Sequence, residues 1–256
     1  MAADPLNTSV PPSARRFVGC FDVLGFTKYV KSTPLEDVLA AYEHLLQNAR
    51  YFTEIPVIHS AGGGGGVDLE RVPYQIFSDT ILVWSADSGG EHTQNFLQSC
   101  CCLVAASVRA RLPLRGGVAY GECLMDTFGG RYIGRAIVDA HETEAIQEWI
   151  GVGLHESCFA SPIGKNLAKF EDVVSYKVPV KKKASSPWCQ WLRSCGCLSE
   201  SQIGPIEHTL RWHGYADVNI EELLGELLAK ASGAQEAERK SRNALLFCRN
   251  VARVND

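Results

Sequence analysis

Two aspartates stand in apolar runs where a carboxylate needs compensation. Asp22 closes the run Phe17-Val18-Gly19-Cys20-Phe21 and is followed by Val23-Leu24-Gly25-Phe26-Thr27. Asp79 sits inside Tyr74-Gln75-Ile76-Phe77-Ser78-Asp79-Thr80-Ile81-Leu82-Val83-Trp84. Both runs read as strands, and an apolar strand does not tolerate a carboxylate unless its charge is compensated. Two such groups on neighbouring strands repel each other, so a shared hard cation is the natural compensator. Divalent ions held by a few carboxylates, with open positions for phosphate oxygens, are the usual form of a phosphoryl-transfer site.

The elements that must position these groups follow from period and punctuation. Residues 17–24 read as a strand. Leu35, Val38, Leu39, Tyr42, Leu45 and Leu46 recur at helical spacing over 35–52, and Pro34 suits the start of that helix. The glycine run 62–66 marks a flexible loop. Residues 72–77 and 80–84 read as two strands joined by a tight hairpin or a bulge at Phe77-Ser78-Asp79. A long helix over 92–111 ends before Pro113, a strand covers 114–121, and the turn Phe128-Gly129-Gly130 leads to a helix over about 134–149. The order strand, helix, paired strands, helix, strand predicts an α+β chain with a ferredoxin-like βαββαβ core, its sheet covered by helices on one face. Beyond it come short strands around 151–155, 173–180 and 206–212 and helices near 220–231 and 234–251. The division expected is a loose tail over 1–14, a core over 15–183, and a surface loop with C-terminal strand and helices over 184–256.

Composition removes several classes of function. The chain has 256 residues, 46% hydrophobic and 21% charged, which is ordinary globular usage. A net charge of −4 argues against broad attraction to nucleic acid or membrane. No run reaches the ~18 apolar residues of a membrane span, and the polar, Pro-rich start lacks the apolar core of an export signal. A cytoplasmic setting with reduced thiols is therefore expected for the ten cysteines. Cys20, Cys123, Cys158 and Cys248 lie in apolar runs and read as buried. Cys100, Cys101 and Cys102 are consecutive and cannot all face one partner. Cys189, Cys195 and Cys197 lack the usual Cys-x-x-Cys spacing and a fourth ligand for zinc.

The motifs resemble those of class III nucleotidyl cyclases. Asp22-Val23-Leu24-Gly25-Phe26-Thr27 is similar to the Asp-Ile-x-Gly-Phe-Thr of that family, and Ser78-Asp79 stands where it has Gly-Asp. Arg115-Gly116-Gly117-Val118-Ala119-Tyr120-Gly121 resembles its Arg-x-Gly-Ile-x-x-Gly strand. Tyr132-Ile133-Gly134, Ala140 and Glu144 follow its fourth-motif helix in frame, and residues 151–157 resemble the next strand. The departures narrow the likeness. The family's asparagine and arginine fall on Val138 and Glu142, its adenine-selecting lysine on Gln75, and the partner aspartate near Arg131. Phe-Asp-Val-Leu-Gly-Phe, Phe-Ser-Asp-Thr and Arg-Gly-Gly-Val-x-Tyr-Gly-Glu resemble the Pycsar pyrimidine cyclases of bacterial antiphage defence, which make cyclic UMP or cyclic CMP.

That resemblance implies a role for each candidate. Asp22 and Asp79 would hold two divalent ions, Mg2+ or Mn2+, with the Val23 carbonyl as a further ligand. Leu24, Gly25, Phe26 and Thr27 would cradle phosphates, since Gly25 admits close backbone approach. Arg115 either faces phosphate or pairs with a carboxylate on the sheet. Lys177 and Lys181 to Lys183 either meet the triphosphate tail or form a solvated run. Gln75 offers a donor and an acceptor to the uracil edge, although a flipped amide would suit cytosine. Arg131 could donate to a base carbonyl, and Tyr74 could stack or shape the pocket. Asp139 and Glu142 would orient ribose or water from a second subunit, or are helix-surface acids. His141 has no paired nucleophile and reads as unrelated to catalysis. The resemblance implies a homodimer that converts UTP to cyclic UMP, and a separately encoded effector that senses the product. Alternatives are a cytidylate cyclase, a degenerate nucleotide-binding or dimerisation module, and a polymerase-palm relative. The palm relative would carry a basic track that this acidic chain lacks.

Overall fold

Strand alternation splits the first strand into two sets of side chains that face opposite sides of a sheet. On β1 (Ala14–Val23), Phe17, Phe21 and Val23 enter one core, while Val18 and Cys20 enter another. In the computed structural model, which describes residues 13–58, 67–181, 205–216, 218–231 and 233–252, β1 is a central strand. The tail before residue 13, the glycine run 62–66, Lys182 and Lys183, and the 184–204 stretch with Cys189, Cys195 and Cys197 lie outside the described residues.

Two helices follow β1, α1 (Phe26–Ser32) and α2 (Leu35–Thr53). A small hairpin of β2 (Glu54–Ile58) and β3 (Val67–Arg71) forms its own two-stranded sheet. The sequence reading missed this hairpin, since Pro56 demotes a short run as a strand. Then come β4 (Tyr74–Phe77), β5 (Thr80–Trp84), α3 (Gly90–Arg109), β6 (Leu114–Asp126), β7 (Arg131–Gly134) and α4 (Arg135–Ala145). The chain continues through β8 (Gly151–Leu154), a short α5 (Gly164–Leu167), β9 (Val173–Ser175), β10 (His208–Leu210), α6 (Ile220–Lys230) and α7 (Gln235–Ala252).

Among the described residues the main sheet runs β4-β5-β1-β6-β8-β10-β9, with β7 paired to β6. Its first four strands are antiparallel neighbours in the order of a ferredoxin-like βαββαβ core, and β8 extends it parallel to β6. The α+β expectation holds in this respect. β10, from late in the sequence, inserts between β8 and β9.

The helices do not keep to one face. Leu45 of α2 and Phe96, Leu97, Cys100, Cys101, Val104 and Val108 of α3 bury against Phe17, Phe21, Ile81, Val83 and Val118. α4 covers the opposite face, packing Ala136 and Ala140 on Val18, Cys20, Leu82, Trp84, Ala119 and Cys123. The reason lies in the strand glycines. Gly117 lets the α4 backbone approach so closely that a Cβ there would meet the Ala140 carbonyl oxygen at 2.2 Å and the Glu144 nitrogen at 2.6 Å. Gly116, on the other side, sits under the Phe21 ring. All seven cysteines among the described residues are buried free thiols, including the four expected to be. Among the described residues no helix is long and apolar enough to cross a membrane.

The close approach of α4 has a measurable consequence. Gly117→Ala should destabilise the fold by about 2 kcal/mol, the usual cost of overpacking a core. A thermal melt followed by circular dichroism checks it, and an unchanged midpoint would show that α4 is free to retreat from β6.

Candidate active site

Asp22 is the penultimate residue of β1, on the face that α4 covers. Phe77 pairs with Thr80, which leaves only Ser78 and Asp79 to turn the β4–β5 hairpin. Asp79 is therefore a turn residue: of the tight hairpin and the bulge that the sequence leaves open at Phe77-Ser78-Asp79, the hairpin is the one found. Ser78 takes φ +56°, a left-handed backbone that side chains adopt at a cost of about 1–2 kcal/mol. This is the position at which the resembling family carries glycine. The hairpin tip is pinned from two sides. The Val23 N–H donates to the Asp79 carbonyl at 3.0 Å, and the Tyr42 hydroxyl of α2 donates to the Ser78 carbonyl at 2.8 Å. These bonds place Asp79 beside Asp22, the first requirement of a shared-cation site. Val23 buries its side chain on the helix side while its backbone forms this link.

The electrostatics agree. Asp22 has its pKa pushed up to about 6 by partial burial and then by Glu144, with Asp79 adding to the shift and Arg115 and Lys240 opposing it. The same carboxylates, after burial, push the Tyr42 phenol up to about 12. Tyr42 was read from the sequence only as a core position, and its phenol marks the strongly anionic end of the sheet.

Arg115 does not face solvent or a phosphate tail. It is buried at the start of β6, where its Nε donates to Glu144 Oε1 at 2.5 Å, its Nη2 pairs with the same oxygen and its Nη1 donates to the Gln147 carbonyl at 2.9 Å. Its Nη2 also lies 3.7 Å from Asp22 Oδ2. Of the two readings left open by the sequence, carboxylate pairing is the one found. Arg115 is engaged first by Glu144 and Gln147 and only more distantly by Asp22. Its partner Glu144 was quoted only as a motif match; the pairing spans two distant elements and leaves no trace in spacing.

The other candidates separate by strand face. Gln75 lies opposite Leu82, on the Asp22 side. It stands two strands and two residues from Asp22, about 12 Å by strand spacing. Tyr74 pairs with Val83 and packs into the α2–α3 core, on the face of the sheet opposite Asp22. Arg131 belongs to the unforeseen strand β7 and is held by Asp126 through its Nε at 2.8 Å and Nη2 at 2.6 Å. Its neighbour Tyr132 instead reaches Gln75, donating to Oε1 at 3.0 Å. Alternation along a hairpin, had the turn at 127–130 been read as one, would have singled out Tyr132.

Gly25 adopts φ +77°, which is why glycine stands there, and it starts α1 directly after β1. Thr27 is exposed, while Leu24 and Phe26 are half-buried against the core and Phe26 meets Tyr42 edge-on at 5.9 Å. Lys177 is exposed beyond β9, at the far edge of the sheet. The lysine that returns to the site is Lys181, whose Nζ donates to the Ala145 carbonyl at 2.6 Å. Its pKa is lowered by burial and by the positive fields of Arg115 and Lys240. Lys240, on α7 and paired with Glu236 at 2.6 Å, reaches the same end of the sheet from late in the sequence and was not anticipated. Asp139 is on α4, 3.5 Å from Arg135, and Glu142 is raised by burial and by Asp139. Within one chain neither of these two acids joins the Asp22 cluster. His141 lies 3.7 Å from Glu144 Oε2.

The donor set would suit hard divalent ions: two carboxylates at one end of the sheet, the first of them held above its usual range by burial and then by Glu144 and Asp79. Among the described residues there is no cluster of three or more His, Cys, Asp or Glu side chains arranged for a metal.

No family model matches this sequence, and no curated protein matches it. Among solved structures the chain is similar to a bacterial light-regulated adenylyl cyclase, at 13% identity and TM-score 0.49, over 86% of this chain and 57% of that one. It is also similar to the guanylate cyclase domain of RhGC from Catenaria anguillulae in complex with GTP, at 13% identity and TM-score 0.48, over 65% of this chain and 91% of that one. A third is the adenylyl cyclase CyaB from P. aeruginosa, at 13% identity and TM-score 0.44, over 78% of this chain and 95% of that one. The chain thus spans little more than half the length of the first of these. Strand order and register, rather than this degree of likeness, define the fold.

Two measurements test the site's electrostatics. Arg115→Leu leaves Glu144 buried without a partner and should cost about 3–5 kcal/mol, while Arg115→Leu with Glu144→Leu should regain most of it. Denaturant titration of both variants checks this, and equal losses would contradict it. Asp22 holds its proton more tightly folded, at about 6, than at its ordinary 3.8. The stability it contributes is full below about pH 4 and lost as pH rises through about 6. Asp22→Asn should therefore gain in melting temperature over the wild type as pH goes from 4 to 7, whereas parallel profiles would refute the shift.

Proposed function

We propose that this protein is a pyrimidine nucleotide cyclase that converts UTP to 3′,5′-cyclic UMP and pyrophosphate. The observation that carries the reading is the convergence of Asp22 and Asp79 at one end of the sheet, linked by the Val23–Asp79 backbone bond. Two Mg2+ or Mn2+ ions held there would lower the pKa of the ribose 3′-hydroxyl and neutralise the triphosphate. The chain's own residues supply placement. Asp22 and Asp79 carry the charge that would hold the ions, and Arg115, paired with Glu144, lies 3.7 Å from the Asp22 carboxylate as its nearby cation. The turn 24–27 offers backbone to phosphate where Gly25 leaves open space. Lys240 adds positive field at Asp22, Lys181 lies within the field of Arg115 and Lys240, and the two would attract the triphosphate.

Gln75 stands on the Asp22 face of the sheet, and in this reading it would meet the base. Its amide matches a pyrimidine edge, where the resembling family's adenine-selecting lysine would not. A homodimer is part of the proposal. Val138 and Ile133 leave apolar surface exposed on α4 and β7, and Phe128 does so at the β6–β7 tip. In a dimer Asp139 and Glu142 of a partner copy would approach ribose. The product would act on a separately encoded effector, as the resemblance to antiphage cyclases implies.

Purified protein incubated with each of the four nucleoside triphosphates and Mn2+ tests the proposal. UTP should give cyclic UMP, and Asp22→Ala or Asp79→Ala should lower turnover by at least about a thousandfold while the melt is retained. Full turnover in both variants, or binding of UTP without any cyclic product, would overturn it; the latter would favour a nucleotide-binding module.

A further inference from the structure

The tip of the β4–β5 hairpin is a strained turn held from outside. Phe77 pairs with Thr80, so Ser78 and Asp79 are its two central residues. Of these, Ser78 alone has a positive φ, at +56°. A two-residue turn of that kind favours glycine at its first central position, and a side chain there carries a penalty. The turn therefore relies on its neighbours to keep its shape.

Helix α2 supplies one of them. Val38, Tyr42 and Leu45 fall at i, i+4 and i+7 on one face of the helix, and Val38 and Leu45 are buried. That anchoring brings Tyr42 to the hairpin, its ring edge-on to Phe26 at 5.9 Å and its hydroxyl donating to the Ser78 carbonyl at 2.8 Å. This carbonyl belongs to the planar peptide unit that joins Ser78 to Asp79. Rotation of the plane changes ψ of Ser78 and φ of Asp79 together, and the second change swings the Asp79 carboxylate. The next peptide unit is held on its own, because the Asp79 carbonyl accepts from the Val23 N–H of β1 at 3.0 Å. The two bonds together hold the peptide units before and after Asp79. The phenol lies within the field of both carboxylates. Burial, then Asp79 and Asp22, push it up to about 12, so it stays a donor throughout the neutral range.

We infer that Tyr42 is a positioning residue for divalent ions, its phenol holding the Ser78–Asp79 peptide in the orientation that presents the Asp79 carboxylate beside Asp22. The inference rests on the cyclase reading of the Asp22–Asp79 site and deepens it. Without the hydroxyl the strained turn relaxes, the second carboxylate swings, and the site takes up ions more weakly. Ions that do bind draw the carboxylate back, so turnover at saturating metal is largely kept. Control over metal uptake then resides on α2, outside the strand and the hairpin that carry the two aspartates.

The test is titration calorimetry of the full chain with the Mn2+ complex of a non-cyclisable UTP analogue, alongside the Mn2+ dependence of UTP turnover. Wild type, Tyr42→Phe, Ser78→Gly and the double variant are compared, each checked for an intact melt. Tyr42→Phe keeps the ring against Phe26 and removes only the hydroxyl. It should weaken binding by about tenfold, the upper end for one hydrogen bond. The kcat at saturating Mn2+ should stay within about threefold of wild type. Ser78→Gly relieves the left-handed penalty, so in that background losing the hydroxyl should cost about threefold or less. Equal affinity in wild type and Tyr42→Phe would overturn the inference while leaving the cyclase reading in place. A loss of the same size in the Ser78→Gly background would do likewise, because the phenol would then act through something other than the turn. A wild type that binds no Mn2+ with the nucleotide would overturn both.

Discussion

The buried contact between Arg115 and Glu144 is the constraint around which this end of the molecule is built. Both side chains are under a tenth exposed, and neither charge is tolerable there alone. The pair is embedded in a wider network. Gln147 accepts from Arg115 through its carbonyl, donates from its amide to the Gly116 and Thr143 carbonyls, and accepts from the Trp149 indole at 2.6 Å. The contact therefore ties β6 to the last turn of α4 and to the segment entering β8. Gly117 makes it possible by letting the helix lie against the strand.

What the pair leaves over is what makes the site. Burial raises the Asp22 pKa most; Glu144 adds to the rise, and Arg115, spent on Glu144 first and lying 3.7 Å from Asp22, only partly opposes it. Asp79 arrives from the β4–β5 hairpin with another negative charge, and Tyr42 braces the turn that delivers it. The result is a concentrated oxygen-donor centre at the edge of a rigid sheet, in deficit of positive charge, with Lys181 and Lys240 close enough to meet an anion but turned to other partners. Such a centre suits ions that enter together with a triphosphate better than a permanently bound metal.

Much of this was legible in the chain. The apolar run over 17–24 and the helical period over 35–52 mark β1 and α2, and the run through Asp22 to Thr27 locates the carboxylate, the turn and the helix start together. The order of elements gave the core topology because each run was long or strongly periodic. The misses have physical causes. In sequence the turn Phe128-Gly129-Gly130 reads as the lead to a helix, which hides the short strand β7 between it and α4. With it went the alternation that puts Tyr132, and not Arg131, beside Gln75. Period two also separates Tyr74 from Gln75, since adjacent strand residues face opposite sides and only one of them can line a pocket. Glycines 117 and 121 were motif letters in the sequence, and only the packing of α4 shows what their missing side chains allow. The roles of Glu144 and Lys240 come from contacts between elements far apart in the chain, for which composition and spacing carry no signal.

The central claim is that the carboxylates of Asp22 and Asp79 grip divalent ions in the presence of a nucleotide. A crystal structure of the protein with Mn2+ and a non-cyclisable UTP analogue, with anomalous scattering used to find the manganese, tests it directly. The account predicts manganese within about 2.0–2.3 Å of oxygens from both aspartates and of the phosphates. Manganese bound elsewhere, or a nucleotide bound with either carboxylate turned away from it, would contradict the account.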